Sequence, residues 1–98
     1  MTTLLICGSR YHVTNEMAEV VRLAVRRALA NDWQIIAGDA CGVDELVAET
    51  VRCVAAPADT FHLAVYGIYD SPRHRIVSDA IYYVDVRTLA RFRESAPI

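Results

Sequence analysis

A chain of 98 residues is one domain, long enough to bury roughly two-thirds of its unfolded surface and so to hold a core. Its net charge of −2, from ten basic and twelve acidic side chains, is the opposite of the basic balance by which proteins grip nucleic acid through counterion release, so nucleic acid is not an expected partner. Apolar residues make up 54% and charged ones 22%; that excess leaves apolar surface to spare, and a homodimer or higher symmetric oligomer is expected. The opening "MTTLLICGSR" has no basic start and too short an apolar stretch for a signal peptide. No run approaches the length of a membrane span. Cys7, Cys41 and Cys53 are odd in number and lack C-x-x-C spacing, which points to a reducing cytoplasm rather than a disulfide framework or a metal site.

"TLLIC" (Thr3–Cys7) is a continuous apolar run ended by Gly8, the pattern of a strand buried on both faces. From Glu16 the period changes: Met17, Val20, Val21, Ala24 and Ala28 recur at helical spacing, with Arg22, Arg26 and Arg27 on other faces. Asn31-Asp32 is the expected stop, with Asn31 in the left-handed conformation. "WQIIA" (Trp33–Ala37) predicts a second strand, ended by Gly38. Val43, Leu46, Val47, Thr50, Val51 and Val54 predict a second amphipathic helix, ended by Pro57. "DTFHLAVY" (Asp59–Tyr66) predicts a third strand. Ser71-Pro72 has the cap-then-proline pattern of a helix entry, so a short helix through Ala80 is expected. "IYYVDV" (Ile81–Val86) predicts a fourth strand, and "TLARFRES" a terminal helix before the frayed end "SAPI".

Strands alternating with helices predict right-handed crossovers and a parallel sheet. The expected fold is α/β: a Rossmann-like three-layer domain, helices on both faces, with about four strands in the order 3-2-1-4. Ligands of such sheets bind beyond the carboxyl ends of the strands, near the switch in strand order. Both glycine-ended strands place their loops on that edge.

In the first loop, "CGSRYH", Gly8 permits a sharp turn, Ser9 offers a hydroxyl and a backbone N–H, and Arg10 is a forked, permanently charged donor suited to phosphate or carboxylate. A strand terminator followed by a solvated arginine accounts for the same letters. The second loop, "GDACGVDE", is bracketed by Gly38 and Gly42, with small Ala40 and Cys41 between them. Gly42 precedes a helix whose first-turn N–H groups and dipole favour an anion. Asp44 and Glu45 stabilise that first turn as capping residues and would repel a phosphate set directly on them. An Asp beside a nucleotide also accepts from ribose hydroxyls. Phosphate on the Gly8–Arg10 side, with sugar or base on the Asp44 side, avoids the conflict. Neither loop matches G-x-G-x-x-G or G-x-x-x-x-G-K-[ST].

A strand ending Gly-Ser-Arg-aromatic, followed at this spacing by one leading into Gly-x-Ala-x-Gly-x-Asp, resembles the SLOG superfamily, and within it the small stand-alone type related to the YspA/YpsA proteins. The likeness covers "LLICGSRY" and "IIAGDACGVDELVAE". It implies a Rossmann-like domain that binds a nucleotide or nucleotide-derived ligand between the two loops. By match to the motif, Gly8, Ser9, Arg10, Gly38, Ala40, Gly42 and Asp44 carry over as ligand-binding positions. Asp39 stands where the family usually has a second glycine and adds a charge beside the phosphate path. "SPRHR" stands in place of the family's Gly-Pro-x-Arg-Asn stretch, so Arg73 or Arg75 takes the arginine's role. No metal and no cofactor are expected. The Pro-Gly-Gly-x-Gly-Thr-x-x-Glu run of phosphoribohydrolase relatives is missing.

Three readings remain open. The leading one is non-catalytic binding or sensing of a nucleotide-like ligand. The second is an N-glycosidic hydrolase with Asp44 or Glu45 as acid or base; the third is a protein-interaction scaffold with a vestigial pocket. Tyr11, Tyr66 and Tyr69 follow strand ends on the same edge and either stack on a base or pack. Cys7 and Cys41 are expected as buried small residues. His62 is expected packed or at a strand edge, and His74 at a solvated helix start.

Overall fold

The computed structural model describes residues 2–54 and 62–88. In chain order these form β1 (Thr3–Leu5), α1 (Asn15–Ala30), β2 (Gln34–Gly38), α2 (Val43–Val54), β3 (Leu63–Gly67) and β4 (Ile81–Asp85). The four strands make one parallel sheet, with Leu4 beside Ile35, Ile35 beside Leu63 and Leu63 beside Ile81. Parallel pairing is as expected; the strand order is not. It runs β1-β2-β3-β4, rather than 3-2-1-4.

The reason lies in which apolar run is most shielded. "TLLIC" was expected at the centre, but only Thr3–Leu5 form β1, at the sheet edge, and Leu5 is 67% exposed. The central positions go to β2 and to β3, where Leu63, Ala64, Val65 and Gly67 are all buried. Right-handed crossovers that step in one direction leave their helices on one face. Accordingly, Val25 and Ala28 of α1 and Val43, Val47, Ala48 and Val51 of α2 share a single core with Ile35, Ala37, Leu63 and Val65. Side chains of opposite parity on the strands (Leu5, Tyr66 and Tyr82) stay exposed. Among the described residues the architecture is thus two layers, not three. Ile35 is fully buried at its centre; Ile35→Ala removes contacts worth about 2–5 kcal/mol.

Helix α1 starts where Thr14 Oγ1 accepts from the Met17 N–H at 3.1 Å, with Glu16 in the first turn. It ends in a Schellman arrangement. Trp33 N–H donates to Ala28 O at 2.8 Å and Asp32 N–H to Leu29 O at 3.2 Å. The left-handed residue is Asp32, with φ 57. Asn31, expected in that role, has φ −99 and instead donates its side-chain amide to Arg27 O at 2.7 Å. Ala18 and Ala28 are small and buried, which lets α1 lie close to α2.

The helix expected after Ser71-Pro72 does not form. Arg75 N–H closes a turn on Pro72 O at 3.0 Å, and Arg75 itself has φ 59, which no right-handed helix accommodates. The stretch 68–80 therefore runs as turns that fold back over the carboxyl ends of β2 and β3. Pro57 and nearly all of the expected terminal helix lie outside the described residues.

Candidate ligand site at the carboxyl edge of the sheet

The loops after β1 and β2 meet at the carboxyl edge. Val43 N–H donates to Ser9 O at 3.0 Å. Gly42 has φ +84, and a Cβ there would collide with the Ser9 carbonyl oxygen and stand 2.9 Å from Arg10 Cα. Only glycine meets both conditions, so Gly42 has a structural reason independent of any ligand. Ser9 Oγ accepts from the N–H groups of Tyr11 and His12 at 3.2 and 3.1 Å, so this hydroxyl holds the turn. The N-terminus of α2 is also partly satisfied from within the protein. Val43 N–H is spent on Ser9, and the Ala40 N–H just ahead of the helix donates to Asp44 Oδ2 at 3.2 Å.

Arg10 is exposed. Its guanidinium donates to the Tyr11 hydroxyl at 3.2 Å and lies 5.2 Å from the centre of that ring. Its partner is thus a phenol rather than Asp39 or Asp44.

A cleft of about 250 Å³ opens beside the ends of β2 and β3, lined by Gly38, Asp39, Asp44, Tyr66, Gly67, Ile68, Arg73 and Val86. Four residues expected at the site share it: Gly38, Asp39, Asp44 and Arg73. Ala40 is buried behind them. Gly8, Ser9, Arg10 and Gly42, also expected here, do not line it: Gly42 packs on Ser9 and Arg10 instead. Arg75 is exposed and likewise absent from the cleft lining. A larger hollow, about 480 Å³, lies between the helices, lined by Val13, Asn15, Ala18, Arg22, Gly42, Glu45, Leu46 and Glu49. Val13 of the first loop and Gly42 of the second line this larger hollow, whereas the Asp39–Arg73 ion pair sits at the smaller cleft.

Asp39 organises the cleft. It is 2% exposed. Its Oδ1 accepts from Arg73 Nε at 3.0 Å and forms an ion pair with Nη2 at 2.9 Å; its Oδ2 accepts from the Arg73 backbone N–H at 3.1 Å. Asp39 O also accepts from His74 N–H at 3.2 Å. The charge that seemed a surplus in the second loop is therefore an anchor for the 68–80 turns. Because Asp39 bonds to it and attracts it, the Arg73 guanidinium is held even more firmly protonated than usual. The same guanidinium lies over the Tyr69 ring, its central carbon 6.0 Å from the ring centre.

Three contributors escaped the sequence reading. Gly67 ends the third apolar run just as Gly8 and Gly38 end the first two, and that repetition was the available signal. A Cβ at Gly67 would stand 2.6 Å from Asp39 Oδ2 and strike the Tyr83 hydroxyl. Tyr83 donates that hydroxyl to Tyr69 O at 2.8 Å, and burial pushes its pKa up. Arg87 joins Asp70 at 2.7 Å to Asp85 at 2.8 Å, tying the cleft rim to β4. No local pattern in the sequence announced Tyr83 or Arg87.

His74 is half-buried rather than at a solvated helix start. Its Nδ1 accepts from Ile76 N–H at 3.1 Å, which assigns the ring proton to Nε2, an atom sealed from solvent without a partner. Burial lowers its pKa, partly offset by Asp39 and Glu45. His62 pairs through its backbone at the start of β3, with its N–H on Ala80 O at 2.9 Å. Cys7 and Cys41 are exposed, contrary to the expectation of buried packing: β1 stops before Cys7, and the loop turns Cys41 outward. Among the described residues, no group of His, Cys, Asp and Glu is arranged to hold a metal ion, and no helix is long and apolar enough to cross a membrane.

No protein-family model matches the chain, and neither a curated protein nor a solved structure does.

Proposed function

We propose that this edge of the sheet binds a nucleotide or nucleotide-derived ligand without transforming it. The observation that carries the reading is the apposition of the loop after β1 with the start of α2, through Val43 N–H and Ser9 O, beside a cleft edged by Tyr66 and Asp44. Arg10 stands exposed beside Gly42, outside the cleft lining, with its guanidinium facing a neutral partner, and it is the residue we assign to a phosphate. Inside the cleft the charges of Arg73 and Asp39 offset each other and Asp44 adds a carboxylate. That environment suits hydroxyls, an amino group or a base face better than an anion. The phosphate end then lies outward and the nucleoside end inward. The hydrolase alternative would draw its acid or base from Asp44 or Glu45, and Asp44 Oδ2 is already engaged by Ala40 N–H.

The test is a thermal-shift screen of the full chain against nucleotides, nucleotide sugars and ADP-ribose derivatives, followed by calorimetry and by product analysis for free base. A ligand at a hundredfold excess over its Kd should stabilise the fold by about 2.7 kcal/mol. Saturable binding with no release of base is the expected result. Release of base would establish the hydrolase, and no binding by any nucleotide would leave the scaffold reading.

A further inference from the structure

We infer that Asp39 is a built-in anion: its carboxylate fills a site made by the Arg73 guanidinium and the Arg73 backbone N–H, and so bars an anionic ligand group from the inner cleft. The inference deepens the nucleotide-binding reading and rests on it for the kind of ligand, because it states which end of that ligand the inner cleft refuses.

The geometry is that of a bound oxyanion. One carboxylate oxygen of Asp39 accepts from Arg73 Nε at 3.0 Å, with the charged Nη2 at 2.9 Å; the other accepts from the Arg73 backbone N–H at 3.1 Å. Two oxygens of a phosphate could take the same donors with the same fork. The Asp39 side chain is 3% exposed while that of Arg73 is 43% exposed, so the carboxylate occupies the inner position and the guanidinium remains reachable from the cleft. Space at this point is tight, since a Cβ on Gly67 would already meet Asp39 Oδ2. An incoming anion would have to displace Asp39, a nearly buried charge, and Asp44 on the same wall would repel it. Position 39 also has no backbone need for glycine, because the described non-glycine residues with positive φ are Asp32 and Arg75. Its carboxylate is thus a determinant of specificity: the inner cleft reads a neutral, hydroxyl-bearing or basic moiety, and the anionic group of the ligand stays outside it.

The test titrates inorganic phosphate, with chloride at matched ionic strength as the control, into the full-length wild-type protein, Asp39→Asn, Asp39→Gly and the double variant Asp39→Asn/Arg73→Gln. Binding is read from the NMR resonances of the Arg73 Nε–H and backbone N–H. Asp39→Asn keeps an oxygen acceptor for the Arg73 N–H and so keeps the loop anchored, which guards against failure of the glycine variant to fold. The expected result is no saturable shift in wild type, saturable millimolar binding in Asp39→Asn at least tenfold tighter than any wild-type response, and loss of that binding in the double variant. Saturable phosphate shifts at Arg73 in wild type, or an Asp39→Asn protein that responds no more than wild type, would overturn the inference. Nucleotide binding by wild type is scored separately, so the nucleotide reading can fail while the phosphate result stands, or the reverse.

Discussion

The backbone N–H of Val43 donates to the carbonyl of Ser9 at 3.0 Å, so the loop after β1 and the first turn of α2 are held as one unit. Gly42 makes this possible. With φ +84 and the Ser9 carbonyl directly where a Cβ would lie, Gly42→Ala must both strain the backbone and push the loops apart. The left-handed conformation alone costs of order 1–3 kcal/mol for a residue with a side chain. We expect Gly42→Ala to lose at least about 2 kcal/mol in urea denaturation and to perturb the Ser9 and Arg10 amide resonances together. A variant as stable as wild type would show that the two loops do not depend on this contact.

Asp39 and Arg73 anchor the 68–80 turns, and the two partners should not respond alike to substitution. Arg73→Met leaves a carboxylate buried without its counter-charge. Arg75→Met removes an exposed side chain from a turn. The expected outcome is a fall of several degrees in the melting temperature of Arg73→Met and almost none for Arg75→Met. Equal, small effects would mean that the ion pair is not what holds the loop.

Those two arginines also show where reading the sequence stops. The strands and the two long helices were legible because apolar periodicity is local: α2 covers Val43–Val54, the residues whose spacing predicts it. Strand order was not legible. It depends on which run ends up shielded from both sides, and "TLLIC" and "LAVY" look equally apolar as letters, although β1 is an edge and β3 is central. The convergence of Gly38, Asp39 and Asp44 followed from the glycine-ended strand. The choice between Arg73 and Arg75 did not. It turns on Asp39, thirty-four positions away, and on a left-handed turn at Arg75 that replaced the helix suggested by Ser71-Pro72. Tyr83 joined the site through the pairing of β3 with β4, a long-range relation no short motif encodes.

His74 should give the fold a pH dependence of definite sign. Its Nδ1 accepts from Ile76 N–H, and burial lowers its pKa below the ordinary 6.5, so the folded state favours the neutral ring. Below about 6.5 the unfolded chain takes up a proton that the folded chain refuses. The contribution is therefore complete above that value and is lost as the pH falls through the lowered folded pKa. Urea midpoints measured between pH 7.5 and pH 5 should decline in wild type. In His74→Asn, whose amide oxygen can still accept from Ile76 N–H, the decline should be shallower. Parallel pH curves for the two proteins would remove His74 as the source.

Arg10 decides between a binding domain and a scaffold. Its guanidinium rests on Tyr11, exposed, with a hydroxyl rather than a carboxylate as partner. Arg10 makes no ion pair with Asp39 or Asp44 that would pin the two loops; that pinning comes from Val43, Ser9 and Gly42. Arg10→Ala should accordingly leave the melting temperature of the free protein nearly unchanged, as surface substitutions away from structural contacts do. If the phosphate of the ligand binds at this loop, the lost charge-assisted bonds are worth about 1.5–3 kcal/mol. Affinity should then fall roughly ten- to a hundredfold. Calorimetric titration with the tightest nucleotide from the screen, together with a melting curve on the same variant, separates the outcomes. A stable variant with weakened affinity places the phosphate at Arg10. A stable variant with unchanged affinity removes Arg10 from the site and, since Asp39 already occupies Arg73, leaves the cleft without a cation for a phosphate and argues for a ligand that carries none.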